Sequence, residues 1–440
     1  MTELNRALDI GVVGAGTAGA AAAILLARAG HRVSLFEAVP DPKPVGAGIM
    51  MQPSGMSVLD EIGLLPAIIA RGARISGLQC ATEQGRPVMR VDYARLSPTA
   101  FGVGLHRGVL FDQLFDQAGV EPNVALHLGT PVTRYALEKR VDQARPTLYT
   151  ATGERHELDL LVVANGARSE LRSQSGLTLR DTPYPWGALW LVVKDEGRIF
   201  GDRLSQFVAG TKEMLGFLPT GLGPTGETPL VSIFWSIEAH RVDEFRRANI
   251  EVWKRRVRQL APQCAALLEQ VRDPAELLFA GYRDVVMRPW HRSEGVVFLG
   301  DAAHATSPQL GQGANLALVD ARALRDALGN AATLSEALAQ YSRSRRHELA
   351  YYQWATRMLT PFFQSNASLL GWLRDRFMHS TCRVPFAARK MTRTLCGLER
   401  GVVFSRALPL PALPSAELGA GPALKSLPAA GGAAALSNSQ

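Results

Sequence analysis

The chain has 440 residues, 47% hydrophobic and 20% charged, the balance of a globular protein too long for one small core, so two or three domains are expected. It holds no run of about 18 apolar residues that would span a bilayer, and its start, MTELNRALD, lacks the basic, apolar and cleavable parts of a secretory leader, so a cytoplasmic location is expected. The net charge of +8 sits in one late segment, with eleven Lys or Arg against three Asp or Glu in residues 341–400, and no nucleic-acid-binding module accompanies it.

In chain order, residues 9–37 read as strand, glycine turn, helix, strand and acid. Ile10, Val12 and Val13 supply the strand, Gly14-Ala15-Gly16-Thr17-Ala18-Gly19 the GxGxxG turn, and Val33, Leu35 and Phe36 a second strand stopping at Glu37. Such glycines let backbone approach a pyrophosphate at a helix N-terminus, and Glu37, 23 residues after Gly14, is placed for the hydroxyls of an adenosine ribose. A carboxylate there prefers a free 2′-hydroxyl to a 2′-phosphate, so FAD or NAD is expected rather than NADP.

Residues 40–55 form a loop rich in Pro and Gly, in which Gly48 offers close backbone approach to a flat ring. Residues 74–95 read as a hairpin turning near Gln84-Gly85 that leaves the nucleotide fold. The chain returns at Leu105-His106-Arg107, where Arg107 opens a helix and is placed for a pyrophosphate. Cys80, Cys264, Cys382 and Cys396 are far apart and form no CxxC, so free thiols are expected and no metal site.

Residues 160–163 read as another buried strand, ending in Asn165-Gly166 with Ser169 and Arg172 beyond. From 186 to 237 aromatic residues alternate along strands, which predicts a mainly antiparallel sheet inserted before the chain re-enters the nucleotide fold near residue 284. Trp190, Phe207, Phe217 and Trp235 are candidates for an apolar substrate pocket there, with plain sheet core as the competing reading.

The most informative stretch is 295–321. Val296 to Leu299 form a buried strand ending at Gly300-Asp301, an acceptor-only carboxylate suited to a hydroxylated ligand. Pro308, Gly311, Gly313, Ala314 and Asn315 then open a helix whose N-terminal N–H groups favour an anion. Residues 333–400 are helical with a break expected at Pro361, and the tail from about 405, rich in Pro, Ala and Gly, is expected to be mobile. Between 341 and 380 aromatic residues are interleaved with arginines; such helices most often cap a sheet domain, and peripheral contact with an anionic membrane is the other reading.

Residues 14–19 with Glu37, residues 164–172 and residues 300–315 stand in the order and spacing of three motifs, and together they resemble the single-component flavoprotein monooxygenases of the para-hydroxybenzoate hydroxylase family. Late residues such as Thr360 to Phe363 and Trp372 to Asp375 are similar to the ubiquinone-pathway hydroxylases. Asn165 departs from the family's usual Asp; an amide keeps a turn-forming hydrogen bond and loses the charge. The resemblance implies an α/β protein: a Rossmann-like FAD-binding fold of the GR2 type (residues 1–73, 104–180 and 284–332) with an inserted antiparallel-sheet substrate domain (74–103 and 181–283). C-terminal helices (333–404) and the 405–440 tail follow.

It also implies FAD held by residues 14–19, Glu37 and Ala38 on the ribose side, Gly48, Arg107 on the pyrophosphate, Gly300 and Asp301 on the ribitol, and the loop from Pro308 to Asn315 along the flavin ring. NADH or NADPH would be a transient reductant, O2 the oxidant and an aromatic or lipid-like small molecule the substrate, in a monomer or homodimer. Reduction of isoprenoid double bonds and flavin-based redox sensing are the alternatives. No dedicated acid or base is legible; His106, His304 and Pro308 stand nearest the motifs, the histidines more readily as structural hydrogen-bonding groups than as proton carriers.

Overall fold

The computed structural model describes residues 4, 6–43, 46–139, 144–401 and 406–407. Leu160–Val163 and Val296–Phe298 are apolar at every position, as strands covered on both faces must be. They lie in a six-stranded sheet with the order His291–Arg292, Val296–Phe298, Leu160–Val163, Asp9–Val13, Arg32–Phe36, Val124–His127, in which only the first pair is antiparallel. Val13 pairs with Val163 and Phe36, and Val163 with Phe298, so Gly14, Ala164, Glu37 and Leu299 emerge along one edge. The helices Thr17–Arg28 and Gly313–Asn330 both start at that edge and pack on each other.

The second body is a seven-stranded sheet with the order Leu278–Met287, Thr178–Lys194, Leu230–Glu238, Glu213–Gly221, Arg203–Ala209, Gly77–Thr82, Pro87–Asp92. It is antiparallel except where Arg203–Ala209 runs parallel to Gly77–Thr82. Ala73–Ile75 belongs to a small sheet with Gly102–His106 and Gly48–Met51, so the hairpin begins at Gly77 rather than 74. Leu278–Met287 stays paired with Thr178–Lys194 as far as Met287, so the chain rejoins the parallel sheet after residue 287 rather than at 284.

One face of the large sheet is covered by the helices Ile250–Leu260 and Ala265–Leu268, which close a core over Leu189, Leu215, Phe217, Ile233 and Trp235. The opposite face meets Phe362 and Phe363 at the end of the long helix Leu334–Phe363. That helix runs through Pro361 and ends two residues beyond the expected break, because a proline in the last turn removes one N–H and little else. Ser368–Leu373, a π-helical turn Arg374–Met378, His379–Arg383 and Pro385–Leu395 follow. No helix among the described residues is long and apolar enough to cross a membrane. The mobile tail expected from residue 405 lies, apart from Arg406 and Ala407, outside the described residues.

Candidate active site

The three glycines of the first turn meet different surroundings. Gly14 has φ +98°, and a Cβ there would lie 2.8 Å from the Ala164 carbonyl oxygen and from Asn165 Cα. A Cβ on Gly19 would lie 1.8 Å from the Gly14 oxygen, so helix and turn touch there. A Cβ on Gly16 would meet nothing within 4 Å. Gly16 is therefore the one of the three that faces open space, where a pyrophosphate approaches backbone in this kind of turn. Ala15 N–H donates to Glu37 Oε2 at 2.9 Å and Val39 N–H to Oε1 at 3.0 Å, so the carboxylate is fixed beside the turn with lone pairs to spare for a diol. Ala38, next to it, is exposed.

On the other side of the first strand, Gly300 adopts φ 57° and ψ −141°, open only to glycine, and a Cβ there would lie 3.0 Å from Ala18 Cβ and 3.3 Å from Ala317 Cβ. The two helices thus close on Gly300 and leave Asp301 exposed, with its Oδ1 3.9 Å from where Gly313 would carry a side chain. The first-turn N–H groups of Gly313, Ala314 and Asn315 point past the helix start and have no intrahelical acceptor. The Asn315 side chain is fully buried and bound within the protein: its Oδ1 accepts from Gln52 N at 2.8 Å and its Nδ2 donates to the Met50 carbonyl at 3.0 Å. It thus ties the 48–52 segment to the helix N-terminus.

Arg107 is exposed at the start of the helix Arg107–Val120, with Gly46 against its aliphatic stem and its N–H on the Ala47 carbonyl. Gly48 does make a close approach, but to the sheet: a Cβ there would lie 2.5 Å from Thr220 Cγ2 and 2.6 Å from Ser232 Oγ. The 307–312 loop is fastened from behind, with Ser307 Oγ 2.9 Å from Thr360 Oγ1 and Gln309 Nε2 donating to Gln364 Oε1 at 3.0 Å. Pro308 opens a single 3-10 turn there and is exposed, with Gly311 at φ +60° closing it.

Both histidines make hydrogen bonds within the protein. His106 Nδ1 accepts from Gly108 N–H at 3.1 Å and so caps the helix that Arg107 opens; burial holds its pKa below the ordinary histidine value, in keeping with a neutral ring. His304 is buried with Nε2 2.6 Å from Asp320 Oδ2, which also accepts from Gly300 N–H at 2.9 Å. Asp320 Oδ1 accepts from Arg345 Nε at 2.7 Å, Arg345 reaches Glu348 at 2.5 Å, and Glu348 reaches Arg406 at 2.8 Å. Burial pushes the Asp320 carboxyl up, but His304, Arg345 and the Gly300 N–H outweigh it and hold the group below the ordinary carboxylate range.

Of the pocket candidates, Phe207, Phe217 and Trp235 lie on the sheet face packed against the helices Ile250–Leu260 and Ala265–Leu268. Trp190 lies on the opposite face, its ring tilted against Phe234 at 5.4 Å, in a cluster that includes Phe362 and Phe363. Sequence reasoning passed over Tyr184, on the same strand as Trp190. The Tyr184, Tyr282, Thr220 and Ser232 hydroxyls and the Trp190 indole N–H are buried without a well-formed hydrogen bond among the described residues. Burial raises the pKa values of Tyr184 and Tyr282, so both are neutral donors at physiological pH.

In the second motif, Asn165 Oδ1 is also buried without a partner, so the turn-forming bond expected of it is not made. Arg172 is buried and donates to the carbonyls of Ala302 (3.1 Å) and Ala167 (2.8 Å) and to Asp181 (2.5 Å), tying this motif to the residue after Asp301. The open Gly16, the unfilled lone pairs of Glu37, the unpartnered Asn165 Oδ1 and the helix N-terminus at Gly313 line one edge and suit an extended dinucleotide with a flavin at its Gly313 end.

Residues 7–351 match the FAD binding domain family. The aurachin C monooxygenase/isomerase of Stigmatella aurantiaca is 28% identical over 88% of this chain and 98% of its own. The kynurenine 3-monooxygenase of Salinispora arenicola is 30% identical over 78% and 77% respectively. Among solved structures, Klebsiella pneumoniae HpxO complexed with FAD and uric acid superposes with a TM-score of 0.74 at 21% identity, over 88% of this chain and 97% of that one, a likeness of fold.

Proposed function

The chain belongs to the FAD binding domain family as an FAD-dependent monooxygenase, and on that premise we propose that it hydroxylates an aromatic or conjugated, largely apolar small molecule with O2 and NADH or NADPH. The observation that carries the reading is the meeting of Gly16, Glu37, Asp301 and the Gly313 helix start at one sheet edge, with the 307–312 loop tied through Gln364 to the Gly187 carbonyl of the large sheet. Bound FAD supplies the electron transfer and the activation of O2.

The residues present then divide the remaining work. Glu37 would accept from the ribose hydroxyls, Gly16 and Arg107 would hold the pyrophosphate, and Asp301 would hold the ribitol. The first-turn N–H groups at Gly313 stabilise negative charge on the pyrimidine edge of the ring. Trp190 supplies an apolar wall, while Tyr184 and Tyr282 offer hydroxyl donors that orient a polar group of the substrate. Fastening of the 307–312 loop by Thr360 and Gln364 excludes water from the reacting atoms.

The parallel sheet and its helices form the FAD-binding part and the seven-stranded sheet the substrate part, with crossings near residues 76, 102, 178 and 288. The protein acts in the cytoplasm as a monomer or homodimer, and any membrane contact is peripheral, through the basic C-terminal helices. Substrate-stimulated NAD(P)H oxidation under 18O2 tests the reaction, and label in the product is the expected result. A reduced, unlabelled product points instead to reduction of double bonds, and flavin turnover with no substrate points to redox sensing.

A further inference from the structure

Thirteen large apolar side chains among the described residues are strongly exposed, and seven of them lie between Trp354 and Phe386, among them Leu369 (65% exposed), Trp372, Phe377 and Phe386 (80%). Isolated exposed apolar groups are ordinary; a concentration of them in one short stretch is not. The helices that carry them are contiguous. Leu334–Phe363 touches Ser368–Leu373, each later element touches the next, and Pro385–Leu395 returns to the long helix through Tyr351 Oη, 2.7 Å from Thr394 Oγ1.

The charges of this helical segment are equally one-sided. Its three acids between residues 341 and 400 are all engaged: Glu348 with Arg345 and Arg406, Asp375 with Arg374, and Glu399 with Lys390 and Arg393. Arg343, Arg346, Arg376, Arg383 and Arg389 are exposed and make no ion pair among the described residues, and Arg376 lies over the Phe377 ring. The outward charge is therefore uncompensated and positive, among aromatic side chains suited to a wet apolar boundary.

We propose that this helical segment is a docking surface for an anionic lipid bilayer, on which Trp354, Trp372, Phe377 and Phe386 enter the headgroup boundary and the unpaired arginines meet lipid phosphates. A second copy of the chain is the poorer occupant, because a two-fold contact through this patch sets arginine against arginine. The proposal rests on the peripheral contact read above and not on the oxygenation; vesicle binding and 18O incorporation are separate assays, and either can fail alone.

The test is co-sedimentation of the full-length, FAD-loaded protein with vesicles of phosphatidylcholine alone and with vesicles one-third phosphatidylglycerol, at about 0.05 M and about 0.5 M salt. Binding to the anionic vesicles at low salt, weakened at high salt, is expected. Arg383→Gln with Arg389→Gln should weaken it about 25-fold, at about fivefold per charge. Trp372→Ser and Phe386→Ser should each weaken it about tenfold. Flavin absorbance of each variant separates loss of fold from loss of binding. Equal, negligible sedimentation in every condition overturns the proposal, as does a dimer in sedimentation velocity that the Trp372→Ser and Phe386→Ser changes dissolve.

Discussion

Gly14, Gly16 and Gly19 look equivalent as letters and are not equivalent as positions. A Cβ at Gly19 would lie 1.8 Å from the Gly14 oxygen, so Gly19→Ala forces the helix off the turn and should cost about 1–3 kcal/mol or more in a denaturant titration. Gly16 has extended backbone (φ −69°) and open space, so Gly16→Ala should leave unfolding within about 1 kcal/mol of the parent. FAD affinity, measured by fluorescence titration, should nonetheless fall about tenfold or more, because the methyl group occupies the pyrophosphate's place. A Gly16→Ala protein that retains FAD unchanged would remove Gly16 from the site. Residues of this kind were legible in the sequence because each motif closes within a few positions. For Phe207, Phe217 and Trp235 the face was not legible, since a sheet buried on both faces is apolar at odd and even positions alike and only the covering helices reveal which parity packs beneath them.

Elements place these residues, and their ends carry the sensitivity. His106 caps the helix Arg107–Val120 as an acceptor, which requires a neutral ring, and burial lowers its folded pKa below the unfolded value of about 6.5. Protonation is therefore harder in the folded state. The cap's contribution is full above about pH 6.5 and is lost as pH falls through the lowered folded value. FAD retention through Arg107 should weaken over the same window, and His106→Asn, an acceptor that does not titrate, should flatten the profile of FAD binding against pH. Gln364 makes a second such joint: it accepts from Gln309 and donates to the Gly187 carbonyl at 3.3 Å, clamping the 307–312 loop to the large sheet. Gln364→Ala should keep flavin content but let water in, so that the hydrogen peroxide formed per NAD(P)H oxidised rises severalfold in a coupled peroxidase assay. The helix starts were legible from Gly, Pro and acid spacing, whereas Gln364 acts across 55 residues on Gln309 and left no local mark.

At the scale of the whole molecule, three glycines let the parts meet. A Cβ on Gly104 would lie 2.0 Å from the Pro219 oxygen, one on Gly221 2.0 Å from the Arg71 oxygen, and one on Gly48 against Thr220 and Ser232. Gly104→Ala should prise the small sheet from the large one and lower the Tm by several degrees, at about 1–3 kcal/mol, with FAD binding weakened in step. An unchanged Tm would mean the two sheets do not bear on each other there. The two-part architecture was legible from the change in strand texture near residue 186, whereas the pairings of Ala73–Ile75 and Leu278–Met287 are made with partners distant in sequence and left no local mark. The buried chain from His304 through Asp320, Arg345 and Glu348 to Arg406 reaches from the loop after Asp301 to the C-terminal segment. Losing one member strands a buried charge at about 3–5 kcal/mol. A chimera that joins the cofactor half of this chain to the late helices of a relative should therefore fold only if both parents carry matching partners at these five positions.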